Sequence, residues 1–289
     1  VLLLQTLKKD GKMTKIFNTG ETSESLRAEY NPDGGTLRRA QLRMLEMAIY
    51  LQETAKKIGV PCRLDGGNVL GALRHGGFIP WDDDIDMVVE RKYFKQLCDY
   101  LKAHPHEQFV LQDNSTDPGF YKEWACLRDL KSENLSHDIE NSDDRRMHEA
   151  QRFRGLHVDI FPYEGKMIPW LQHFAAKLSV NVNLKFAGRF PRLAQVAYNI
   201  LHYVVFPVFR SIGKLFGNPE LYMHSYGAWF YEQNPRRCMI PHKDIVFEGY
   251  TFEGPADADE LCRIAYGNYM ELPPRDKRDR HKVDVMFYD

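Results

Sequence analysis

Apolar residues recur at steps of three and four from Leu37 through Ala40, Met44, Ala48, Leu51, Ala55 and Ile58, which predicts one long amphipathic helix over residues 36–58. Arg38, Arg39, Arg43, Glu46, Glu53, Lys56 and Lys57 mostly cover its other side. Thr36 is the expected N-cap and Gly59 the expected stop, with Pro61 just beyond. The residues before this helix are polar and include the breaker Pro32-Asp33-Gly34-Gly35, so 1–35 reads as an irregular lead-in. After it the pattern shortens. Brief apolar runs predict strands at 60–64, 85–89, 109–112, 121–129 and 156–161, with helices at 68–73 and 91–103. Residues 132–151 are polar without a period and read as a long loop or lid.

Between residues 168 and 216 the pattern changes again. The segment is apolar, aromatic and basic, and no acid occurs between Glu164 and Glu220. Helices are expected on both sides of Pro191. Asn199, His202, Pro207 and Arg210 interrupt the most apolar part, which argues against an ordinary transmembrane helix. Two readings stay open: a helical subdomain packed on the core, or an amphipathic surface in peripheral contact with a membrane or a lipid-linked substrate. Two short strands around residues 247–252, a helix near 257–266 and the basic run PPRDKRDRHK complete the chain. The expected organisation is a lead-in (1–35), a catalytic core (36–165), an aromatic and basic helical part (166–237) and a C-terminal segment packing on the core (238–289).

The 289 residues are 43% hydrophobic and 12% aromatic, enough for a packed core in one large domain or two small ones. A net charge of −1 gives no global field toward nucleic acid, which is not an expected partner. The five cysteines, Cys62, Cys98, Cys126, Cys238 and Cys262, are widely spaced without a C-x-x-C pair. They read as reduced packing thiols of a cytoplasmic protein. The initial apolar run, 1–4, is too short for a signal peptide, and Met13 is a candidate natural start.

The chemistry concentrates in LDGGNVLGALRHGGFIPWDDDIDMVV, residues 64–89. Asp82, Asp83, Asp84 and Asp86 crowd together there. Two such charges ~4 Å apart repel by roughly 4 kcal/mol at an effective dielectric of ~20. The run therefore requires solvation, raised pKa values or a cation. Asp84 and Asp86, two apart at the expected strand start, would share one face about 7 Å apart, a spacing suited to Mg²⁺ or Mn²⁺. Asp159, an acid inside the apolar strand LHVDIF, is the candidate third carboxylate, because an acid there must face a polar cavity. Gly66-Gly67 ahead of a helix allows phosphate oxygens to approach backbone N–H groups. The order G-G, D-x-D, h-D-h resembles the layout of the nucleotidyltransferase fold, the polymerase beta-like group. The expected class is thus α+β, a mixed sheet flanked by helices with a helical insertion.

The run GNVLGALRHGGFIPWDDDIDMVV, together with LHVDIFPYEG, FEGYTFEGP and YGNYMELPP, resembles the LicD family, with related domains in fukutin and fukutin-related protein. That resemblance implies transfer of an alcohol phosphate, such as phosphocholine, from a cytidine diphosphate-linked donor such as CDP-choline. The acceptor would be a glycan or lipid-linked glycan, as in lipopolysaccharide or teichoic acid, with the enzyme cytoplasmic or peripheral on the inner membrane face. It implies that Asp84, Asp86 and Asp159 are catalytic metal ligands, Asp159 as ligand or general base. Gly66, Gly67 and Asn68 would lie against donor phosphates, and Arg74 and His75 would neutralise phosphate charge. Arg128, Arg275, Arg280 and His281 are further substrate-contact candidates, each equally suited to a structural ion pair. Asp82 and Asp83 would shape the loop, and Trp81 would pack. Where relatives carry a lysine this chain has Cys126, so Lys122 or Arg128 would have to substitute. Two other readings are a nucleotidyltransferase acting on a hydroxyl or small molecule, and a non-catalytic glycan-machinery module.

Overall fold

The computed structural model describes residues 6–9, 12–15, 17–135, 148–187, 189–278 and 284–288. Its centre is a nine-stranded mixed sheet. A separate hairpin, β1 (Thr6–Lys9) and β2 (Lys12–Lys15), precedes helix α1 (Ser23–Tyr30). The lead-in is therefore not wholly irregular. Thr22 and Ser25 form a reciprocal capping box that starts α1, a local signal obscured by the polar composition around it.

Helix α2 (Thr36–Lys57) forms where the apolar period predicts it. Its N-cap is Gly35 rather than Thr36, and no side chain caps it. Its buried stripe, including Met44, Met47 and Leu51, packs with Leu64, Met87, Val158 and Ile160 in one core. Burying each such side chain stabilises the fold by roughly 1.5–3 kcal/mol. On the opposite side of the sheet, Val88, Phe161, Trp124, Tyr163 and Met239 form a second core.

The central strands are β3 (Cys62–Leu64), β4 (Asp86–Glu90) and β8 (His157–Met167). Between them in the chain lie α3 (Gly66–His75), α4 (Arg91–Ala103), β5 (Phe109–Gln112), β6 (Ala125–Asp129) and β7 (Ser132–Asn134). Strand β4 runs antiparallel to β3 and parallel to β8. Its Met87, Val88 and Val89 are all buried, as expected of a strand covered on both faces. Strand β8 is longer than its apolar run suggests. Its first half pairs with β6; beyond, it pairs with β9 (Asn218–His224) through a bulge near Lys166. Ser132–Asn134, inside the expected loop, pairs with β13 (Val285–Phe287), while 136–147 lie outside the described residues.

The helical part holds α5 (Pro169–Asn181), continued by the π-helical turn Val182–Ala187, then α6 (Pro191–Ile200) and α7 (Phe206–Phe216) joined by the π-helical Leu201–Val205. Strand β10 (Asn234–Pro235), the short α8 (Arg236–Met239), the hairpin β11 (Lys243–Phe247) and β12 (Tyr250–Gly254), and α9 (Ala258–Tyr266) follow. Because β12 pairs with β3 and β9 with β8, the later parts of the chain complete the central sheet. All five cysteines are buried free thiols. Among the described residues no helix is long and apolar enough to cross a membrane.

Candidate active site

The site lies at the start of β4 and β8. Parallel pairing sets Asp86 directly opposite Asp159. Two acids distant in the chain thus meet because both strands begin their shared ladder at an acidic residue. Asp159 N–H donates to the Ile85 carbonyl (3.0 Å), which extends the pairing into the acidic loop.

Strand β4 begins at Asp86, so Asp84 lies in the preceding loop rather than on the strand, a correction to the expected alternation. The reason is Asn68. Its Oδ1 accepts from Asp86 N–H (2.7 Å) and its Nδ2 donates to the Asp84 carbonyl (3.1 Å). A buried side-chain amide here replaces a neighbouring strand. Both ends of the Asn68 side-chain amide, expected against a phosphate, are thus engaged by the backbone of Asp84 and Asp86. Gln41 of α2 donates to the Asp82 carbonyl (2.8 Å), and Glu248 accepts from Phe78 N–H (3.1 Å) while paired with Arg38 (2.6 Å). The acidic loop is thereby pinned from three sides.

Gly66 opens α3 with φ +52°, where a side chain is strained, and a Cβ there would stand 3.5 Å from Asp86 Oδ2. A Cβ on Gly67 would stand 3.1 Å from Asp82 Oδ2. The glycine pair keeps open the ground between the helix N-terminus and the acids. Asn68 and Val69 N–H groups bond the Asp65 carbonyl, leaving the amides of Gly66 and Gly67 as the leading donors of the helix.

Electrostatically the site is divided. Burial, Asp84 and Asp159 push the Asp86 carboxyl well above its ordinary range. Burial and the neighbouring Asp84 and Asp83 do the same to Asp82. Carboxylate oxygens of Asp82, Asp83 and Asp84 lie within 4.8 Å of one another. Asp159 differs. Burial opposes its charge, but His157, Lys122 and a Cys126 hydrogen bond outweigh burial and lower its pKa. Its Oδ1 accepts from Trp124 Nε1 (3.1 Å) and Cys126 Sγ (2.7 Å). Lys122, with Nζ 4.8 Å from the Trp124 ring centre, supplies positive charge from an adjacent position. An all-oxygen carboxylate set with crowded like charge, facing an open glycine turn, fits a hard divalent cation.

Other sequence candidates are placed differently. Arg74 is buried and donates to the carbonyls of Tyr269 (2.9 Å) and Glu271 (3.3 Å), so it holds the C-terminal segment instead of facing a phosphate. His75 accepts from Arg74 (2.9 Å) and packs between Phe17 and Trp81. Arg128 is buried against Gln112 (2.6 Å) and the Gly155 carbonyl (2.8 Å); a direct substrate contact is replaced by structure, although its charge reaches Asp159. Arg275 pairs with Glu21 (2.8 Å) and Glu29 (3.1 Å). Arg280 and His281 lie outside the described residues.

Beside the acids is a cavity of about 250 Å³, lined by Asp65, Gly66, Gly67 and Asp86 and by His224, Phe230, Asn234 and Tyr266. Burial would raise the Asp65 carboxyl, but Arg63 and His224 hold it at about 2. Asp65, immediately before the glycine pair at the helix N-cap, carried a sequence signal that went unused. His224, Phe230, Asn234 and Tyr266 had none, since only β9, β10 and α9 bring them to the cavity.

Residues 59–187 match the family model described as LicD/FKTN/FKRP, nucleotidyltransferase domain. These residues carry a LicD-type domain. The lipopolysaccharide cholinephosphotransferase LicD of Haemophilus influenzae is 25% identical over 273 residues, 87% of this chain and 98% of that protein. The ribitol 5-phosphate transferases FKRP of Mus musculus and Homo sapiens are each 48% identical over 135 residues, 44% of this chain but 23% of those proteins. The LicD-family segment contains Gly66, Gly67, Asn68, Asp84, Asp86, Asp159 and the Trp124–Cys126 support. The far wall of the cavity, from His224 to Tyr266, lies beyond it.

Proposed function

We propose that this LicD-type transferase moves an alcohol phosphate, phosphocholine from CDP-choline, to a hydroxyl of a cell-surface glycan, using a divalent cation. The reading rests on the juxtaposition of Asp86 and Asp159 across β4 and β8, beside the open Gly66-Gly67 turn. The names of the relatives, which transfer phosphocholine or ribitol phosphate, support the class of reaction. The nucleotidyltransferase fold is part of the same proposal, supported by the family description.

Asp84, Asp86 and Asp159 would hold Mg²⁺ or Mn²⁺, which when bound neutralises phosphoryl oxygens and the leaving phosphate. The amides of Gly66 and Gly67 donate to the donor phosphates, aided by the positive end of α3. The acceptor hydroxyl attacks the choline-bearing phosphorus in line. A new O–P bond forms, the bond to CMP breaks, and CMP leaves with the bridging oxygen and its electrons. Trp124 and Cys126 fix the plane of Asp159 through Oδ1, leaving Oδ2 to take the hydroxyl proton. The cavity walled by Phe230, His224 and Tyr266 is sized for a small alcohol group.

The test is incubation of the purified protein with Mg²⁺, a glycan acceptor and CDP-choline, CTP or ATP. CMP release with choline phosphate on the sugar is expected. Pyrophosphate release from CTP or ATP would instead establish nucleotidyl transfer, and no turnover of any donor would leave a binding module.

A further inference from the structure

From Pro191 to Phe216 the backbone is one unbroken helical rod, α6 and α7 joined through a π-helical turn. Its inner face is buried through Ala194, Tyr198, Phe206 and Gly213. The outer face is apolar too. Leu193, Val196, Ile200, Val204, Val208 and Ile212 follow one another at steps of three and four, and all are exposed. Leu215 and Phe216 at the end are each 77% exposed. An exposed apolar stripe of this length is ordinarily covered, by protein or by lipid. Here one side has no cover within the described residues.

Two observations identify the cover. First, the only charged side chains from residue 165 to 219 are basic, and Lys177, Arg189, Arg192 and Lys214 are exposed. A two-fold contact of this segment with its copy would bring these basic residues together, with no acid from residues 165–219 to pair them. Second, the amphipathic aromatics Trp170 and Tyr203 stand 71% and 70% exposed, the residue types that settle at a membrane–water boundary. No described helix crosses a membrane, so the rod would lie along a surface and not through it.

We propose that the outer face of residues 191–216 docks on an anionic lipid surface, the apolar stripe entering the headgroup boundary and the basic residues meeting lipid phosphates. This does not depend on the transferase reading.

The test is flotation of the full chain with phosphatidylcholine vesicles, with and without phosphatidylglycerol. Binding is expected with the anionic vesicles and should weaken as salt rises. The double variant Leu215→Ser with Phe216→Ser should bind about tenfold more weakly or less, at an unchanged unfolding temperature. The proposal is overturned if neither vesicle binds, or if the variant binds as well as the parent. It is also overturned if the double substitution instead abolishes a concentration-dependent dimer seen in sedimentation without lipid binding.

Discussion

The acidic cleft and the 191–216 rod depart from ordinary protein surfaces in opposite directions. The cleft crowds like-charged carboxylates together; the rod displays apolar side chains to water. The cleft is held by individually specified contacts: Asn68 on the Asp84 and Asp86 backbone, Gln41 on Asp82, and Trp124 and Cys126 on Asp159. The rod depends only on the sum of its apolar area and the sign of its charge. Single changes should therefore be severe in the cleft and graded on the rod.

The largest expected effect is in the cleft. Asp86→Asn and Asp159→Asn should each lower phosphate transfer by about 10³-fold or more, read as CMP release. Asp86→Asn should also hold or raise the unfolding temperature, since it relieves repulsion from Asp84 and Asp159. Retained activity in either variant would break the distinction between the two regions.

Metal linkage comes next. Saturating Mg²⁺ or Mn²⁺ should stabilise the parent, by about 2.7 kcal/mol at a hundred times Kd, and leave Asp86→Asn unmoved. Equal thermal shifts in both proteins would remove Asp86 from the ligand set. Gly66→Ala should follow, costing about 1–3 kcal/mol in urea unfolding, because alanine at φ +52° is strained. Its added methyl also faces Asp86 Oδ2, so donor binding should weaken in parallel. An alanine variant as stable and active as the parent would show that the turn is ordinary.

The smallest effect sharpens the contrast between repelled and paired acids. Hydrogen bonding to Arg278 holds Glu21 at about 2, against an ordinary 4.5. The unfolded chain therefore takes up this proton first as pH falls. The contribution of Glu21 is complete above about 4.5 and is lost as pH falls toward 2. Glu21→Gln should flatten that part of the thermal stability profile and leave the profile above it unchanged.

Much of the site was legible because its parts are local. The Gly66-Gly67 turn and the acidic run sit on one short stretch, and a lone acid in an apolar strand marks Asp159 by its burial cost alone. Roles were less legible than positions. Arg74 and Arg128 look like phosphate ligands in a string of letters, yet both are spent on backbone carbonyls and amides of their own chain. Long cations serve either purpose, and only the packing around them decides which. The structural engagement of Asn68 is not legible in its neighbourhood, because its hydrogen bonds run to residues sixteen and eighteen positions away.

By itself the sequence determined the elements whose cause is periodic or compositional: helix α2, the apolar strands β4 and β8, and the acid-free character of the segment between Glu164 and Glu220. Tertiary structure alone decided that Asp86 stands opposite Asp159, that β9, β10 and α9 wall the cavity with His224, Phe230, Asn234 and Tyr266, and that only one apolar face of the 191–216 rod is buried. The reason is physical. Periodicity records which residues avoid water, but strand register and long-range packing decide which of them meet and which are left uncovered.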